Sequence, residues 1–185
     1  MNWLAHFYLA GPDPHARVGA LLGDFHRGPV AALADPVWRV AVREHRAIDA
    51  WTDAHPVVAR SRARLAGPLR RYAGIVVDVA YDHCLARDWA HWSAQPLAGF
   101  VEAVHAALRA DYDRLPPRMR SSVDYLLQSG ALLSYREAAG VERALAGIAT
   151  RLHRPSPLAA AGPAVAALLP AFAGDFAEFF PDLIA

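Results

Sequence analysis

The sequence has one cysteine, no lysine and no long uninterrupted apolar run. Because Cys84 is alone, the chain has no intramolecular disulfide and no cysteine-based zinc cluster. Any metal must therefore be held by histidine and carboxylate side chains, a ligand set that suits manganese, magnesium, iron or zinc. The absence of lysine makes every strongly basic side chain an arginine, which carries no functional weight by itself.

Long hydrophobic segments are also missing. No apolar run reaches the roughly 18 residues that a membrane-spanning helix needs, and the most apolar stretch, residues 158–172, is interrupted by Gly162, Pro163 and Pro170. The first six residues have neither the basic region nor the apolar stretch of a signal peptide. We therefore expect a cytoplasmic protein that has no membrane partner.

What is abundant is helix-forming sequence. Alanine, leucine and arginine are frequent, and apolar residues recur three and four positions apart almost throughout. A length of 185 residues fits one domain with one hydrophobic core. The predicted fold class is all-α, a single compact helical bundle that spans residues 1–185.

Capping residues and prolines predict most helix boundaries. The predicted helices span about residues 2–11, 13–28, 35–55, 56–66, 68–92, 96–115, 117–128 and 141–152. Two more are expected, one before and one after Pro170.

Three segments place polar residues at helical spacing among apolar neighbours. Asp24 and Arg27 are three positions apart, and His45 and Asp49 are four apart with Arg46 on an adjoining stripe. In helices of a bundle, histidine and carboxylate side chains on facing surfaces can complete one coordination sphere. A single pair of this kind is more often an ion pair or a cap.

The third segment strengthens the case for a metal. Asp78 and Asp82 are four apart, and His83 follows directly. The recurrence of three such pairs in a short helical chain favours a metal centre over three unrelated ion pairs. His6, in the first helix, is left open between a place at this centre and the role of a hydrogen-bonded core histidine.

These segments resemble the acyl carrier protein phosphodiesterase family. The matching stretches are residues 1–6, 23–28, 45–56, 78–89, 134–136, 151–155 and 179–181, so the resemblance extends over essentially the full length of the chain. The central stretches are specific and the C-terminal ones are not. His153 in the C-terminal part is expected to be a surface or capping residue.

The resemblance implies hydrolysis of holo-acyl carrier protein to the apo-protein and 4′-phosphopantetheine. It also implies a divalent metal, which is most often Mn²⁺; Mg²⁺ and Fe²⁺ are the alternatives. It also implies a distant similarity to the HD phosphohydrolases, helical enzymes with histidine and aspartate ligands. This chain departs from their usual adjacent pair, because it reads Asp82–His83 in place of His–Asp. The expected partner is the acyl carrier protein, with no nucleic acid.

A phosphodiester is anionic and repels hydroxide, so its hydrolysis needs a nucleophile at neutral pH and positive charge, both of which a metal supplies. Asp78 is predicted to be a ligand or to orient one, and Arg27 and Arg46 to contact phosphate oxygens. The predicted metal ligands are Asp24, His45, Asp49, Asp82 and His83.

The arginines of residues 60–71 are expected to attract an acidic carrier protein, with a plain solvated helix face as the alternative. Two other functions stay open. One is an HD-type phosphohydrolase that acts on a nucleotide or another small phosphoester. The other is a non-catalytic helical module that binds an acidic partner. Nucleic acid is disfavoured because the net charge is only +1.

Overall fold

The structure is a computed structural model that describes residues 1–152 and 154–185, and within these residues it is all-α with no strand. This confirms the predicted fold class. His153, expected at the surface, lies outside the described residues. The α-helices are α1 (Trp3–Leu9), α2 (Pro14–Leu22), α3 (Pro36–Ala54), α4 (Pro56–Ala63), α5 (Ala73–Arg87), α6 (Trp89–Trp92), α7 (Leu97–Ala110), α8 (Pro117–Ser129), α9 (Ala131–Ser134), α10 (Ala138–Arg151) and α11 (Gly162–Ile184).

The chain forms two compact units. The α1 unit comprises residues 3–50 and 89–133, and the α5 unit comprises residues 1–2, 51–88 and 134–185. That residues 1–185 act as one domain, and that the fold is of the HD phosphohydrolase kind, both stay predictions.

In the α1 unit, helix α2 packs against α1 and α7, and α7 packs against α8. Two helix starts follow the predicted caps. The Asp13 carboxylate accepts a hydrogen bond from the backbone N–H of His15 (2.8 Å), and Asp35 accepts one from Val37 (2.9 Å). These caps satisfy backbone groups that the first turn of a helix leaves unpaired, so α2 and α3 begin at Pro14 and Pro36 as expected.

Two predicted helices differ from the structure in length. Helix α2 ends at Leu22, six residues before the predicted end, and a turn follows it. The long helix predicted over residues 68–92 is divided into a 3₁₀ segment (Gly67–Tyr72), α5 and α6. Asp88, with φ of −101° and ψ of 23°, interrupts the helical backbone between α5 and α6.

In the α5 unit, α11 packs against α4, α5 and α10. The prediction of two helices around Pro170 is wrong, because α11 runs through both Pro170 and Pro181. Each internal proline costs about 3 kcal/mol, whereas full burial of a phenylalanine contributes about 1.5–3 kcal/mol. The buried aromatic residues that offset the two prolines are Phe172, Phe176, Phe179 and Phe180.

Helix α11 is also long and apolar enough to cross a membrane, with a mean hydropathy of 1.3 in its most apolar window. Core helices of soluble proteins pass the same test. In this structure α11 carries Asp175 and Glu178, and both carboxylates form ion pairs with Arg60 of α4. Its apolar face forms part of the core of the α5 unit.

Candidate metal centre

His45 and Asp49 lie one turn apart on α3 and face each other. The Nε2 atom of His45 is 3.2 Å from Oδ2 of Asp49. The imidazole is buried, whereas the carboxylate is 41% exposed. The spacing of four residues in the sequence therefore produces the juxtaposition that it predicts for a helix.

His6 joins this pair from α1. Its ring is buried and stacks on the His45 ring, with 3.8 Å between ring centroids and an angle of 20° between the ring planes. Its Nε2 atom lies 3.1 Å from Oδ1 of Asp49. The two carboxylate oxygens of Asp49 thus face one imidazole nitrogen each, and the two imidazoles lie side by side.

Asp24 completes the group from the turn after α2. Its Oδ1 atom is 3.6 Å from Nε2 of His45, and its Oδ2 atom accepts a hydrogen bond from the indole N–H of Trp3 (3.0 Å). Trp3 therefore holds one carboxylate oxygen while the other faces His45. We call His6, Asp24, His45 and Asp49 the four-residue centre.

The electrostatics of the centre favour neutral imidazole beside charged carboxylate. Burial lowers the pKa of His6, more than the hydrogen bond to Asp49 raises it. Burial acts to raise the pKa of Asp49, but the hydrogen bonds to His45 and His6 outweigh it and hold that pKa well below its usual range. At neutral pH the centre thus offers a carboxylate and an unprotonated His6.

This arrangement fits a divalent metal ion. His6, His45 and Asp49 each offer one ligand atom, and these atoms all lie within 4.8 Å of one another. Ligand atoms that bind a common ion at about 2.0–2.2 Å lie roughly 3–4 Å apart, so little movement is needed. In addition, the Nδ1 atoms of His6 and His45 are buried without a hydrogen-bond partner among the described residues. Both imidazoles are therefore less fully bonded than buried polar groups normally are.

The two predicted phosphate-binding arginines also lie in the α1 unit. Arg46 donates from Nη2 to the carbonyl oxygens of His26 (2.5 Å) and Gly28 (3.1 Å), so it ties the turn after α2 to α3. The Arg27 side chain is exposed within that turn. Contact of either guanidinium with phosphate stays a prediction.

The remaining predicted site residues lie on α5, in the α5 unit. His83 and Asp82 are buried, and Nδ1 of His83 lies 2.7 Å from the backbone oxygen of Tyr135. A carbonyl oxygen only accepts, so Nδ1 carries the proton and Nε2 keeps a lone pair. Asp78 lies 3.4 Å from the amino group of Met1. The roles predicted for Asp78, Asp82 and His83 stay predictions.

Three of the five arginines expected to attract the carrier protein have carboxylate partners within the α5 unit. Arg60 and Arg64 both donate to Asp175 (2.9 and 2.8 Å), and Arg62 forms an ion pair with Asp53. These carboxylates offset part of the positive charge that the sequence pattern suggests. Attraction of the partner by this group stays a prediction.

Sequence reasoning left one member of the four-residue centre open and missed one supporting residue. His6 had a visible signal, since it is a polar residue between Ala5 and Phe7 in an apolar helix. Trp3 had none, because a tryptophan near a helix start is more simply read as core. Only the fold brings its indole N–H to Asp24.

The sequence is similar to one known family over nearly its whole length. The profile of the family described as acyl carrier protein phosphodiesterase matches residues 1–183. The chain is 32% identical over 185 residues to the acyl carrier protein phosphodiesterase of Serratia proteamaculans (strain 568), an alignment that covers 100% of this chain and 96% of the relative. It is 37% identical over 155 residues to the protein of that name from Salmonella agona (strain SL483), covering 83% and 80%. No solved structure matches the chain.

Proposed function

This chain belongs to the acyl carrier protein phosphodiesterase family, and we propose that it is a metal-dependent phosphodiesterase that hydrolyses holo-acyl carrier protein to the apo-protein and 4′-phosphopantetheine. The observation that supports the chemistry is the four-residue centre, in which two stacked histidines and two aspartates converge. A centre of this composition can bind a divalent cation, which supplies the nucleophile and the positive charge that hydrolysis of an anionic phosphodiester requires.

In this proposal His6, His45 and Asp49 hold the ion, and Asp24 is a further ligand that Trp3 orients. The proposed ion is Mn²⁺, the metal that the family resemblance implies, and the carboxylates of Asp24 and Asp49 are ligands that suit it. When bound, the ion lowers the pKa of a coordinated water and polarises a phosphoryl oxygen. The Asp49 carboxylate, charged at neutral pH, offsets part of the charge of the ion.

The protein side chains supply the remaining functions. Arg27, exposed in the turn beside Asp24, is proposed to contact the phosphate oxygens as negative charge develops on them. Arg46 holds that turn through the carbonyls of His26 and Gly28, and its guanidinium is proposed as a second phosphate contact.

A role for α5 is proposed separately. The His83 tautomer leaves Nε2 free to bind a metal or accept a proton, with Nδ1 anchored on a carbonyl as is usual for ligating histidines. Asp82 is proposed as a metal ligand. Asp78 is proposed either as a ligand or as a residue that orients one. The matching experiment is His83→Gln, which we expect to lower turnover while the helical circular dichroism stays unchanged.

The proposed partner is the acyl carrier protein, in the cytoplasm. On the α1 unit, the α3 surface that precedes His45 carries the exposed residues Val40 and Arg43 and the partly exposed Arg39. Neither arginine forms an ion pair within residues 1–152 and 154–185. Unpaired cations beside an exposed apolar side chain suit an acidic protein surface.

The deciding experiment is chelation and rescue. Protein treated with chelator is assayed on holo-carrier, and released 4′-phosphopantetheine is measured by mass spectrometry before and after Mn²⁺ is added. We expect turnover to disappear on chelation and to return when Mn²⁺ is added, and we expect Asp24→Ala to abolish it.

Asp113→Ala, which removes an exposed aspartate of the same unit, is the matched control. Activity that persists through chelation, or in Asp24→Ala, would contradict the metal centre. Turnover of nucleotides but not of the carrier would instead favour a small-molecule phosphohydrolase.

A further inference from the structure

We propose that Gly23 is a positioning residue of the four-residue centre, because its missing side chain creates the space that holds the His45 ring. The inference rests on the proposed metal centre for its functional consequence. Its geometric part stands on the packing of Gly23 against His45 alone.

The packing leaves no room for a β-carbon. A β-carbon built on Gly23 would overlap Cγ of His45 and would lie 2.5 Å from Cδ2 and 2.7 Å from Nδ1 of the same ring. Carbon atoms in ordinary contact are about 3.5–4.0 Å apart. Any residue other than glycine therefore has to displace the ring or the backbone.

Backbone conformation does not explain the glycine. Gly23 has φ of −51° and ψ of −39°, in the right-handed helical region that every residue adopts. Its position just after α2 would suit alanine, which normally stabilises such a site relative to glycine. The close approach of the ring is thus the physical reason for glycine here.

The ring cannot give way freely, because His6 packs on it as well. The two imidazole centroids are 3.8 Å apart in a stacked arrangement, and Nε2 of His45 lies 3.2 Å from Asp49. Relief of the overlap requires a shift of about 1 Å to reach ordinary contact distances. Metal–ligand distances tolerate only about 0.2 Å. A β-carbon at Gly23 therefore misplaces a ligand while all four ligand side chains remain present.

The first experiment compares Gly23→Ala with Gly28→Ala. Gly28 lies in the same turn, and its nearest neighbour to an added β-carbon is 3.5 Å away, an ordinary contact. Mn²⁺ binding to chelator-treated protein is measured by calorimetry, and kcat and KM are measured on holo-carrier.

For Gly23→Ala we expect at least about a tenfold loss of Mn²⁺ affinity and about a hundredfold loss of kcat, since a 1 Å misplacement costs on that order. For Gly28→Ala both values should stay within about twofold of the parent protein, because ordinary contacts are not strained. Parent-like Mn²⁺ affinity in Gly23→Ala would overturn the proposal.

A second experiment needs neither metal nor activity, so it separates this inference from the proposed function. A double-mutant cycle of Gly23→Ala and His45→Ala is followed by Tm of the metal-free protein. If the β-carbon collides with the ring, Gly23→Ala lowers Tm in the parent background and leaves it equal or higher in the His45→Ala background. The same change of Tm in both backgrounds overturns the proposal, even if Gly23→Ala folds too poorly for the binding experiment. Failure of the parent protein to bind Mn²⁺ would count against the metal centre but not against this packing.

Discussion

Two aspartates in this protein each have two basic partners, and they differ in exposure and in the hydrogen bonding of the side chains around them. Asp175 of α11 is only 4% exposed on its side chain and accepts hydrogen bonds from Arg60, Arg64 and Ser61 at 2.7–2.9 Å. Asp49 of α3 is 41% exposed, and its two oxygens face the imidazoles of His6 and His45.

The two sites differ in how many of their buried polar atoms have a hydrogen-bond partner. Around Asp175 both oxygens are used, and Ser61 also bonds to the hydroxyl of Tyr81 (2.8 Å). Around Asp49 the two histidines each keep a buried Nδ1 that has no hydrogen-bond partner among the described residues. A fully bonded buried carboxylate holds elements together, whereas buried histidines with an unsatisfied ring nitrogen beside a partly exposed carboxylate keep capacity for a ligand. We therefore assign stability to the Asp175 cluster and binding to the four-residue centre.

The largest effect that sharpens this comparison is expected at the four-residue centre. Asp49→Ala should lower kcat/KM on holo-carrier by more than about 10³-fold, since loss of groups that merely support a ligand costs 10–100-fold. Tm of the metal-free protein should fall less than in Asp175→Ala, because the Asp49 side chain is partly exposed whereas that of Asp175 is buried. A drop in Tm as large as that of an Asp175 variant would break the distinction.

The next effect is structural. Asp175→Ala should lower the free energy of unfolding by about 3 kcal/mol, because it leaves the guanidiniums of Arg60 and Arg64 without their carboxylate. Both arginines are partly exposed and can rehydrate, which limits the loss. Urea denaturation measures it, with activity per folded molecule expected to be unchanged. Reduced turnover in the folded fraction would show that α11 also serves the site.

The Asp175 cluster also predicts a pH dependence. Burial acts to raise the pKa of Asp175, but hydrogen bonds from Arg64, Ser61 and Arg60 outweigh it and lower that pKa from 3.8 to about 2. A lowered pKa stabilises the folded state above pH 3.8, and this contribution is lost as the pH falls through about 2. It amounts to about 2 kcal/mol. The difference in unfolding free energy between the parent protein and Asp175→Asn should therefore be constant from pH 7 to 5 and shrink below pH 4. A difference that does not change with pH would remove this carboxylate as the cause.

A smaller effect is expected from the residue that orients Asp24. Trp3→Phe keeps an aromatic ring but removes the indole N–H that donates to Oδ2 of Asp24. Mn²⁺ affinity should fall about tenfold, which is the lower end of the 10–100-fold range of losses on removal of a group that supports a ligand. Titration of chelator-treated protein tests this, and Trp38→Phe, at a buried tryptophan of the same unit, is the control.

The smallest effect concerns charge. Arg39→Ala with Arg43→Ala should reduce kcat/KM on the carrier only a few-fold at low salt, because exposed charges act mainly on the rate of encounter. The paired arginines are the comparison: Arg62→Ala, whose partner is Asp53, should have less effect. Equal losses, or no dependence on salt, would exclude attraction through α3.

Much of this protein was predictable from local sequence. The helix content follows from the frequent alanine and leucine and from the helical spacing of the apolar residues. The starts of α2 and α3 follow from Asp13 and Asp35, each of which precedes a proline. The pairing of His45 with Asp49 follows from helical geometry. The continuity of α11 was not predictable, because local rules place a break at Pro170 and only the burial of its aromatic face offsets that cost.

The sequence by itself determined the fold class, the absence of cysteine ligands and the pairs of polar residues that helical periodicity brings to one face. Tertiary structure alone decided which of those pairs meet. It stacked His6 on His45, turned the Trp3 indole to Asp24 and neutralised Arg60 and Arg64 with Asp175. The physical reason is range: backbone propensities and capping act over a few residues, whereas contacts between side chains twenty or more positions apart depend on how the helices pack.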